Sequence, residues 1–302
     1  MKPAPFVLHS PSSVDEALDV LAEHGPDAKV LAGGQSLLPL LNMRLAAPAH
    51  VVDVNRLHAL ATVEPSADGV RVGAMARHAQ VLRDAGAAAA VPLLAQGLSL
   101  VAHPVIRNRG TTVGSIVHAD PSGEMTAVLA LLGGQVELRS RAGTRTVAAA
   151  DFFLGPLESD VAAGELATSA WFPVLPSRSG TAFREVARRH GDYAVCGVAA
   201  AVTLDAGGRV ERARTAYISM SPVPVVVDLT DAVVGRVWDA ADWAAAGRSA
   251  AGALDPEPDI HATAAYRRSL AQTLTRQALA QAAEGARAAT DAPLTTAGGP
   301  GA

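Results

Sequence analysis

The chain has 302 residues, of which 49% are hydrophobic and 18% charged, and a formal net charge of −4. This size and composition predict a globular protein of two or three domains. The weak negative charge, without a basic run, argues against nucleic acid as a partner. The single cysteine, Cys196, excludes a disulfide within the chain and iron–sulfur ligation by this chain alone. It lies in the apolar run VCGVAAAV, which favours a buried structural thiol over a nucleophile.

The first residues, MKPAPFVLHSP, lack the apolar core of a signal peptide, so the chain is predicted to stay in the cytoplasm. The longest uncharged run, residues 85–106, is long enough to cross a bilayer. Pro92, Gln96, His103 and Pro104 interrupt it. We therefore predict a buried helix followed by a loop, and no transmembrane segment.

The N-terminal part predicts a helix over residues 12–25, with Ser13 and Glu16 as a capping box. Apolar runs predict strands at residues 28–32 and 50–54, and LLPLLNMRL between them predicts a helix. In this strand–helix–strand unit, the segment AGGQS (residues 32–36) lies where the first strand meets the helix. That is the usual position of a phosphate-binding turn.

The middle of the chain predicts mainly helices and then strands. VRVGA predicts a strand, and helices are predicted near residues 78–85, 92–100 and 124–132. The segment TTVGS (residues 111–115) is predicted to be a loop between two apolar helices. QVELRS, TRTVAA and ATSAWF then predict strands.

The composition changes at LPSRSG, residues 175–180, which predicts an interdomain linker. Beyond it, AAAVTLD and RTAYISM predict a hairpin, and alanine-rich helices are predicted at residues 239–253 and 262–283. The predicted domains are residues 1–176, with subdomains of about 1–57 and 58–176, and residues 177–286, followed by a disordered tail at 287–302.

Several common sites are excluded by spacing. No glycine-rich loop is followed by lysine, since the chain has only Lys2 and Lys29, and the one Gly-x-Gly lies in the tail. Neither a Gly-x-Ser-x-Gly elbow nor an HExxH helix occurs. The nine histidines are dispersed along the chain. We therefore predict no metal site and assign no catalytic residue.

The two segments AGGQS and TTVGS are the features that indicate a ligand. Glycine allows close approach of the backbone to a bulky anion, and exposed N–H groups supply partial positive charge. Two such segments predict a pyrophosphate held from both sides. For the first segment alone, a tight turn at Gly33 and Gly34 is the simpler interpretation.

Motifs along nearly the whole chain carry a family resemblance. They are VLAGGQSLLPLLNMRL, VVDVNRL, VRVGAMARHAQV, HPVIRNRGTTVGSIVHADPSGE, DFFLG and FREVARRHGDYAVCGVAAAV. Their order and spacing resemble the FAD-binding (medium) subunit of the molybdenum hydroxylases, the family of aerobic carbon monoxide dehydrogenase and xanthine dehydrogenase. The resemblance implies a mixed α/β (α+β) fold. A vanillyl-alcohol-oxidase-like (PCMH-type) FAD-binding domain would be followed by a small α+β C-terminal domain.

The same resemblance implies that the chain carries FAD and transfers electrons. A small partner subunit would hold [2Fe-2S] clusters, and a large partner subunit would oxidise the substrate at molybdopterin-bound molybdenum. The flavin would pass the electrons to an external acceptor, and the complex would be a dimer of heterotrimers. A self-contained flavin-dependent oxidase or dehydrogenase is the first alternative, and a scaffold that has lost its flavin is the second.

Cofactor-binding residues are also implied by the resemblance. They are Val30, Leu31, Ala32, Gly33, Gly34, Gln35, Ser36 and Leu37, then Thr111, Thr112, Val113, Gly114 and Ser115, and finally Val101, Ala102, Glu124, Arg184 and Tyr193. The last two would lie near the isoalloxazine ring, and Glu124 near the ribose.

Alternatives remain for several of these residues. Val101 and Ala102 fit a core position equally well, Glu124 fits a helix-start acid, and Tyr193 fits a core tyrosine. Val113 departs from the family, which has paired glycines here. Because a β-branched residue resists positive φ, Val113 implies either an extended position or an altered loop.

Overall fold

The N-terminal residues form a three-stranded parallel sheet covered by a helix. In this computed structural model, which describes residues 2–291, the strands β1 (Val7–His9), β2 (Ala28–Leu31) and β3 (His50–Asp53) lie in the order β1-β3-β2. Helix α1 (Val14–His24) buries Leu18 and Leu21 against the sheet. Helix α2 (Leu37–Asn42) connects β2 to β3, which confirms the predicted strand–helix–strand unit.

The predicted capping of α1 is half right. The Ser13 hydroxyl accepts a hydrogen bond from the Glu16 amide at 3.1 Å. The Glu16 carboxylate accepts hydrogen bonds from the amide and hydroxyl of Ser12, one residue before the cap. The start of the helix is therefore capped by a variant of the capping box in which the glutamate bonds one residue earlier than expected.

The next part of the chain contains a five-stranded antiparallel sheet. Its strands are β4 (Val63–Pro65), β5 (Gly69–Gly73), β6 (Gln135–Ser140), β7 (Gly143–Ala148) and, after a small hairpin of β8 (Phe153–Gly155) and β9 (Glu158–Ser159), β10 (Leu166–Pro173). Their order is β4-β5-β10-β6-β7, so the last strand of the unit lies in the middle of the sheet.

Helices pack against this sheet. They are α3 (His78–Arg83), α4 (Ala85–Ala90), α5 (Pro92–Leu100), α6 (Pro104–Arg107), α7 (Thr112–His118), α8 (Glu124–Leu132) and α9 (Ala149–Phe152). The bounds of α5 and α8 are those predicted, because both are strongly apolar and are buried in the largest core cluster.

The long uncharged run does not form a single helix. Residues 85–106 divide into α4, α5 and the start of α6, with a break at Val91 where Pro92 begins the next helix. Proline suits the first turn of a helix and prevents continuation of the preceding one. Within residues 2–291, no helix combines the length and apolarity needed to cross a bilayer.

The C-terminal part is a four-stranded antiparallel sheet backed by two long helices. Strands β11 (Ser179–Ala187), β12 (Ala194–Leu204), β13 (Val210–Ile218) and β14 (Val225–Asp228) pair in chain order, which confirms the predicted hairpin. Helices α10 (Thr230–Val233), α11 (Trp243–Ala253) and α12 (Ala264–Asp291) follow. The alternation of side chains directs Ala200 and Val202 to α11 and α12, and Ala199 and Ala201 to the core shared with α5 and α8.

Three sequence predictions about this part can be compared with the fold. Cys196 is fully buried, and burial raises the pKa of its thiol to about 12, as expected for a structural thiol. Strand β11 begins at Ser179, inside the predicted linker. Helix α12 continues to Asp291, so residues 287–291 of the predicted disordered tail are helical, and the rest of that tail lies outside the described residues.

Candidate functional site

A cleft of about 390 Å³ lies between the end of β2 and the start of α7. Its wall brings together most of the predicted residues of both glycine segments: Val30, Ala32, Gly33, Gly34, Gln35, Ser36, Leu37, Thr111, Val113, Gly114 and Ser115. Thr112 is fully buried behind the wall, and Leu31 lies beside Gly34. Two segments far apart in sequence therefore form one site.

The first segment offers unpaired backbone donors to this cleft. Gly34 has a φ of +74°, a conformation that favours glycine, and its carbonyl accepts from the Leu38 amide at 3.1 Å. Within residues 2–291, the amides of Gly34, Gln35 and Ser36 donate no hydrogen bond. Three free N–H groups on one turn form a typical anion-binding arrangement.

The second segment is the first turn of a helix, which corrects the predicted loop. Thr111 caps α7, and its hydroxyl accepts from the Gly114 amide at 3.2 Å. The amides of Thr112 and Ser115 donate to the carbonyls of Ala76 and Thr111. The two segments therefore differ in role, because the second uses these donors to hold its own structure.

Val113 is not strained by this arrangement. It lies in the first turn of α7, where the backbone is helical, and its side chain is buried in the core. The position is therefore helical and not extended, so of the two expectations from the sequence the altered loop is the one that agrees with the structure. A β-branched residue with an apolar contact on its side chain is well accommodated there.

The two segments touch at Gly33. A Cβ atom at this position would lie 2.6 Å from both the Arg109 carbonyl oxygen and the Gly110 Cα, in the chain leading to α7. Both contacts are backbone, so they cannot move aside as a side chain would. Gly33 is therefore required for the approach of one segment to the other, in addition to any approach of a ligand.

A polar network joins the segments from behind. The Asn55 amide group donates to the Ala32 carbonyl at 2.8 Å and accepts from the Arg77 guanidinium at 2.6 Å. Arg77 also donates to the Arg109 carbonyl, immediately before Gly110. Asn55 lies in VVDVNRL and Arg77 in VGAMARHAQ, motifs that carried the resemblance, but the sequence alone gave neither a structural role.

Two further residues of the cleft were missed from the sequence. Lys29, one of two lysines, is exposed on β2 and lines the cleft beside the free amides of the first segment. His78 is buried, with Nδ1 3.2 Å from the Thr112 hydroxyl, and burial lowers its pKa to about 4. The lining of the cleft therefore includes a lysine and a neutral imidazole.

Tyr193 lies near the other end of α7. The helix ends at Ala119, which has a φ of +53°, and Asp120 follows. Tyr193 is 69% exposed, which excludes the core-tyrosine alternative. Partial burial of its hydroxyl and the nearby charges of Asp120 and Glu124 raise its pKa. An exposed aromatic ring at this place leaves a face available to a planar ligand.

Glu124, whose charge acts on Tyr193, is coupled to a second acidic side chain, Glu185. Glu124 is the first residue of α8, and burial, with a contribution from Asp120, raises its pKa to about 7. Burial and the charge of Glu124 raise the pKa of Glu185 to about 8, and in the described part of the chain its Oε2 atom is buried without a hydrogen-bond partner. Glu124 is thus a helix-start acid, as one alternative held, but it is coupled to a second carboxyl group that the sequence did not reveal.

Arg184 is not brought to this site. On β11 its neighbours Phe183 and Glu185 face α5 and α8, whereas Arg184 points to the opposite face. There it lines an open groove with Trp243 and Arg276 of the C-terminal helices. The alternation of a β-strand explains the difference, since adjacent residues face opposite sides. Its predicted place near an isoalloxazine ring therefore has no support in the geometry.

Val101 and Ala102 form a turn between α5 and α6. Val101 is buried in the main core, Ala102 has a φ of +41°, and both carbonyls accept from the Arg107 guanidinium at 2.6 and 2.9 Å. His103 follows Ala102 in the sequence, and its ring packs against Gly191 in the segment that leads to Tyr193. The turn is therefore a core element that supports the Tyr193 segment.

Comparisons with known proteins extend this picture. Residues 4–175 match the family described as the FAD binding domain in molybdopterin dehydrogenase, and residues 181–282 match the CO dehydrogenase flavoprotein C-terminal domain. The chain is 38% identical to the 6-hydroxypseudooxynicotine dehydrogenase complex subunit alpha of Paenarthrobacter nicotinovorans, over 95% of this chain and 97% of that one. It is 32% identical to the carbon monoxide dehydrogenase medium chain of Hydrogenophaga pseudoflava, over 92% and 97%.

A solved structure agrees with these matches. The crystal structure of quinoline 2-oxidoreductase from Pseudomonas putida 86 contains a chain that superposes with a TM-score of 0.89 at 38% identity, covering 95% of this chain and 99% of that chain. The mixed α/β fold and the FAD-binding domain implied by the sequence are thereby confirmed. The chain belongs to the family of FAD-binding medium subunits of the molybdenum hydroxylases and is an oxidoreductase subunit.

Proposed function

We propose that this chain binds FAD along α7 and passes electrons from the [2Fe-2S] clusters of a partner subunit to an external acceptor. The observation that carries the proposal is the cleft with three free amides, those of Gly34, Gln35 and Ser36, whose lining also includes Lys29. Backbone donors and a cation together match the charge and size of a pyrophosphate.

The placement of the flavin ring follows from the length of α7. Its seven residues span roughly 10 Å. With the pyrophosphate near its first turn, the ring reaches the region of Asp120 and Tyr193. The Tyr193 side chain would then pack on the ring and limit access of water and oxygen to it.

When bound, FAD supplies a carrier that takes up electrons and releases them to a second partner. The chain's own contribution near the ring is proton storage at two carboxyl groups. With pKa values of about 7 and 8, Glu124 and Glu185 hold protons close to neutral pH, where each can gain or lose one readily. The Tyr193 hydroxyl and Asp120 lie beside Glu124.

The relatives support the assembly that we propose. Two of them are named as a medium chain and as a subunit of a dehydrogenase complex. With one buried cysteine, this chain has no thiolate set for an iron–sulfur cluster. We infer a small iron–sulfur subunit and a large molybdopterin subunit as partners, a dimer of heterotrimers, and a cytoplasmic location.

Purification of the native complex through a tag on this chain tests the proposal. We expect two co-purifying subunits, iron and molybdenum in the preparation, and one FAD per copy of this chain. Tyr193→Ala should retain FAD but shift its absorption bands and its rate of reoxidation by oxygen. Substrate oxidation by the isolated chain would establish the self-contained enzyme instead, and a chain purified without FAD in the complex would refute the proposal.

A further inference from the structure

Three histidines that are far apart in sequence meet at one corner of the N-terminal sheet. His9 ends β1, His24 ends α1 and His50 begins β3. Nε2 of His9 lies 2.9 Å from Nδ1 of His50, and the rings of His24 and His50 stack with centroids 3.6 Å apart and an interplanar angle of 7°. All three side chains are half-buried.

The register of the sheet produces this cluster. In the parallel pair of β1 and β3, Val7 lies opposite His50, so His9 is two residues further along on the same face. Helix α1 packs on that face, and its last turn places His24 over the edge of the sheet. The arrangement is therefore fixed by three separate elements.

We propose that His9, His24 and His50 form a binding site for one divalent transition-metal ion of the zinc class. One ring nitrogen from each histidine lies within 4.8 Å of the other two. Tetrahedral zinc with Zn–N bonds of about 2.0–2.1 Å places its ligand nitrogens about 3.4 Å apart. The widest nitrogen–nitrogen separation must therefore shorten by up to about 1.4 Å, and the His9–His50 pair at 2.9 Å must lengthen by about 0.5 Å. Both changes are within the range of side-chain rotation.

The donor chemistry favours such an ion over the hard cations. Neutral imidazole is a preferred ligand of zinc, copper and nickel, whereas calcium and magnesium prefer oxygen. Because the sites are half-buried, water can serve as the fourth ligand, and the nearby charge of the Glu23 carboxylate acts electrostatically on His9. The carbonyl end of α1 adds partial negative charge at the same place.

Binding requires one local rearrangement. A metal–nitrogen bond lies close to the plane of its imidazole ring, so two stacked rings cannot both ligate one ion without tilting apart. His24 is the ring best placed to tilt, because it is at the end of a helix and half-buried. The bound ion would tie β1 to α1 and β3, and so stabilise the folded state in proportion to its occupancy.

Equilibrium dialysis of the full chain against Zn²⁺ tests this proposal, and it does not depend on the proposed electron transfer. The chain should carry no histidine tag, and bound zinc should be measured by elemental analysis. We expect one Zn²⁺ per chain and a rise in the melting temperature when Zn²⁺ is added. His24→Gln should weaken Zn²⁺ binding by at least about tenfold and abolish the rise in melting temperature.

The matched control is His261→Gln, which removes an exposed histidine of another domain. It should bind Zn²⁺ as the wild type does. Circular dichroism of each variant without metal establishes that it is folded. His9→Gln provides a second test at a position in a strand instead of a helix. Absence of bound Zn²⁺ in the wild type, or equal affinity in the wild type, His24→Gln and His9→Gln, would overturn the site.

Discussion

The side-chain nitrogen of Asn55 lies 2.8 Å from the carbonyl oxygen of Ala32, at the start of the first glycine segment. Through Arg77 the same side chain is linked to Arg109, which leads into the second segment. The geometry of the cleft therefore depends on one asparagine that lies behind it and does not line it.

Asn55→Ala should lower the affinity for FAD by about tenfold. The substitution leaves the Ala32 carbonyl and the Arg77 guanidinium without this partner, a loss of about 1–2 kcal/mol that acts on the spacing of the two segments. Fluorescence titration of the apoprotein with FAD measures the effect. Asn108→Ala, which removes an exposed asparagine at the end of α6, should bind FAD as the wild type does. Equal affinity in both variants would show that the network does not position the segments.

Gly33→Ala should abolish stable FAD binding while the chain still folds. The added methyl group meets backbone atoms of Arg109 and Gly110, so the two segments must separate. Flavin absorbance of the purified protein, with circular dichroism as the check on folding, gives the answer. Gly252→Ala is the control, because a Cβ atom there meets nothing within 4 Å and alanine favours the helix. Stoichiometric FAD in Gly33→Ala would contradict the contact.

Lys29→Met should weaken FAD binding by roughly fivefold, about 1 kcal/mol for a partly exposed ion pair. The effect should shrink as salt is added, since screening reduces the attraction between the ammonium and the phosphates. Lys2→Met, at the only other lysine, should have no effect. Titrations with FAD at low and high ionic strength distinguish the two variants. An unchanged affinity for FAD in Lys29→Met at low salt would show that Lys29 does not contribute to FAD binding.

His78 should make the folded state sensitive to mild acid. Its pKa is about 4 in the folded protein against 6.5 for an ordinary histidine, so between these values only the unfolded chain takes up the proton. Stability therefore falls as the pH falls from 6.5 towards 4. From pH 7 to pH 5 the free energy of unfolding of the wild type should fall by about 2 kcal/mol more than that of His78→Asn. Asparagine is chosen because its amide keeps a polar atom near the position of Nδ1. Urea unfolding at both pH values measures this, with His58→Asn as the exposed control; equal losses in wild type and His78→Asn would refute it.

Glu185 should have the opposite pH dependence. Its pKa is about 8 in the folded protein against 4.5 for an ordinary glutamate, so between these values only the unfolded chain is ionised at this position. Stability therefore falls as the pH rises through this window. Glu185→Gln should lose less stability than the wild type between pH 5 and pH 8, whereas Glu211→Gln, at an exposed position, should follow the wild type. If the free energy of unfolding changed with pH in the same way in Glu185→Gln and in the wild type, Glu185 would be ionised in the folded protein.

The sequence predicted those parts of the fold that have a local signal. Apolar periodicity identified α5 and α8 to the residue, and the apolar run after AGGQS identified α2. Strand β1 was missed because three residues carry too little pattern, and TTVGS was taken for a loop because Thr111 is both a turn former and a helix cap.

The candidate site was predictable only in part, because sequence patterns report local structure and not contacts between distant residues. Glycines, hydroxyls and family motifs identified the two segments, but the contacts of Asn55 with Ala32 and of His9 with His50 join residues that are 23 and 41 positions apart. No local pattern encodes such contacts. Arg184 and Glu185 show that even the choice between adjacent residues was not predictable. A shift of one residue along a strand decides which face of the sheet a side chain occupies.

Helix α7 has a consequence for how such a subunit can change over evolution. Its first turn adjoins the segment that would retain the cofactor, and its last residue leads to Asp120, beside Tyr193 and the two glutamates that would surround the ring. If FAD binds as proposed, its retention and its reduction potential would depend on separate sets of residues at opposite ends of one helix. Under the proposed function, a lineage could then adapt the potential to a new electron acceptor by substitutions near Tyr193, while the glycine segments would continue to hold the same flavin.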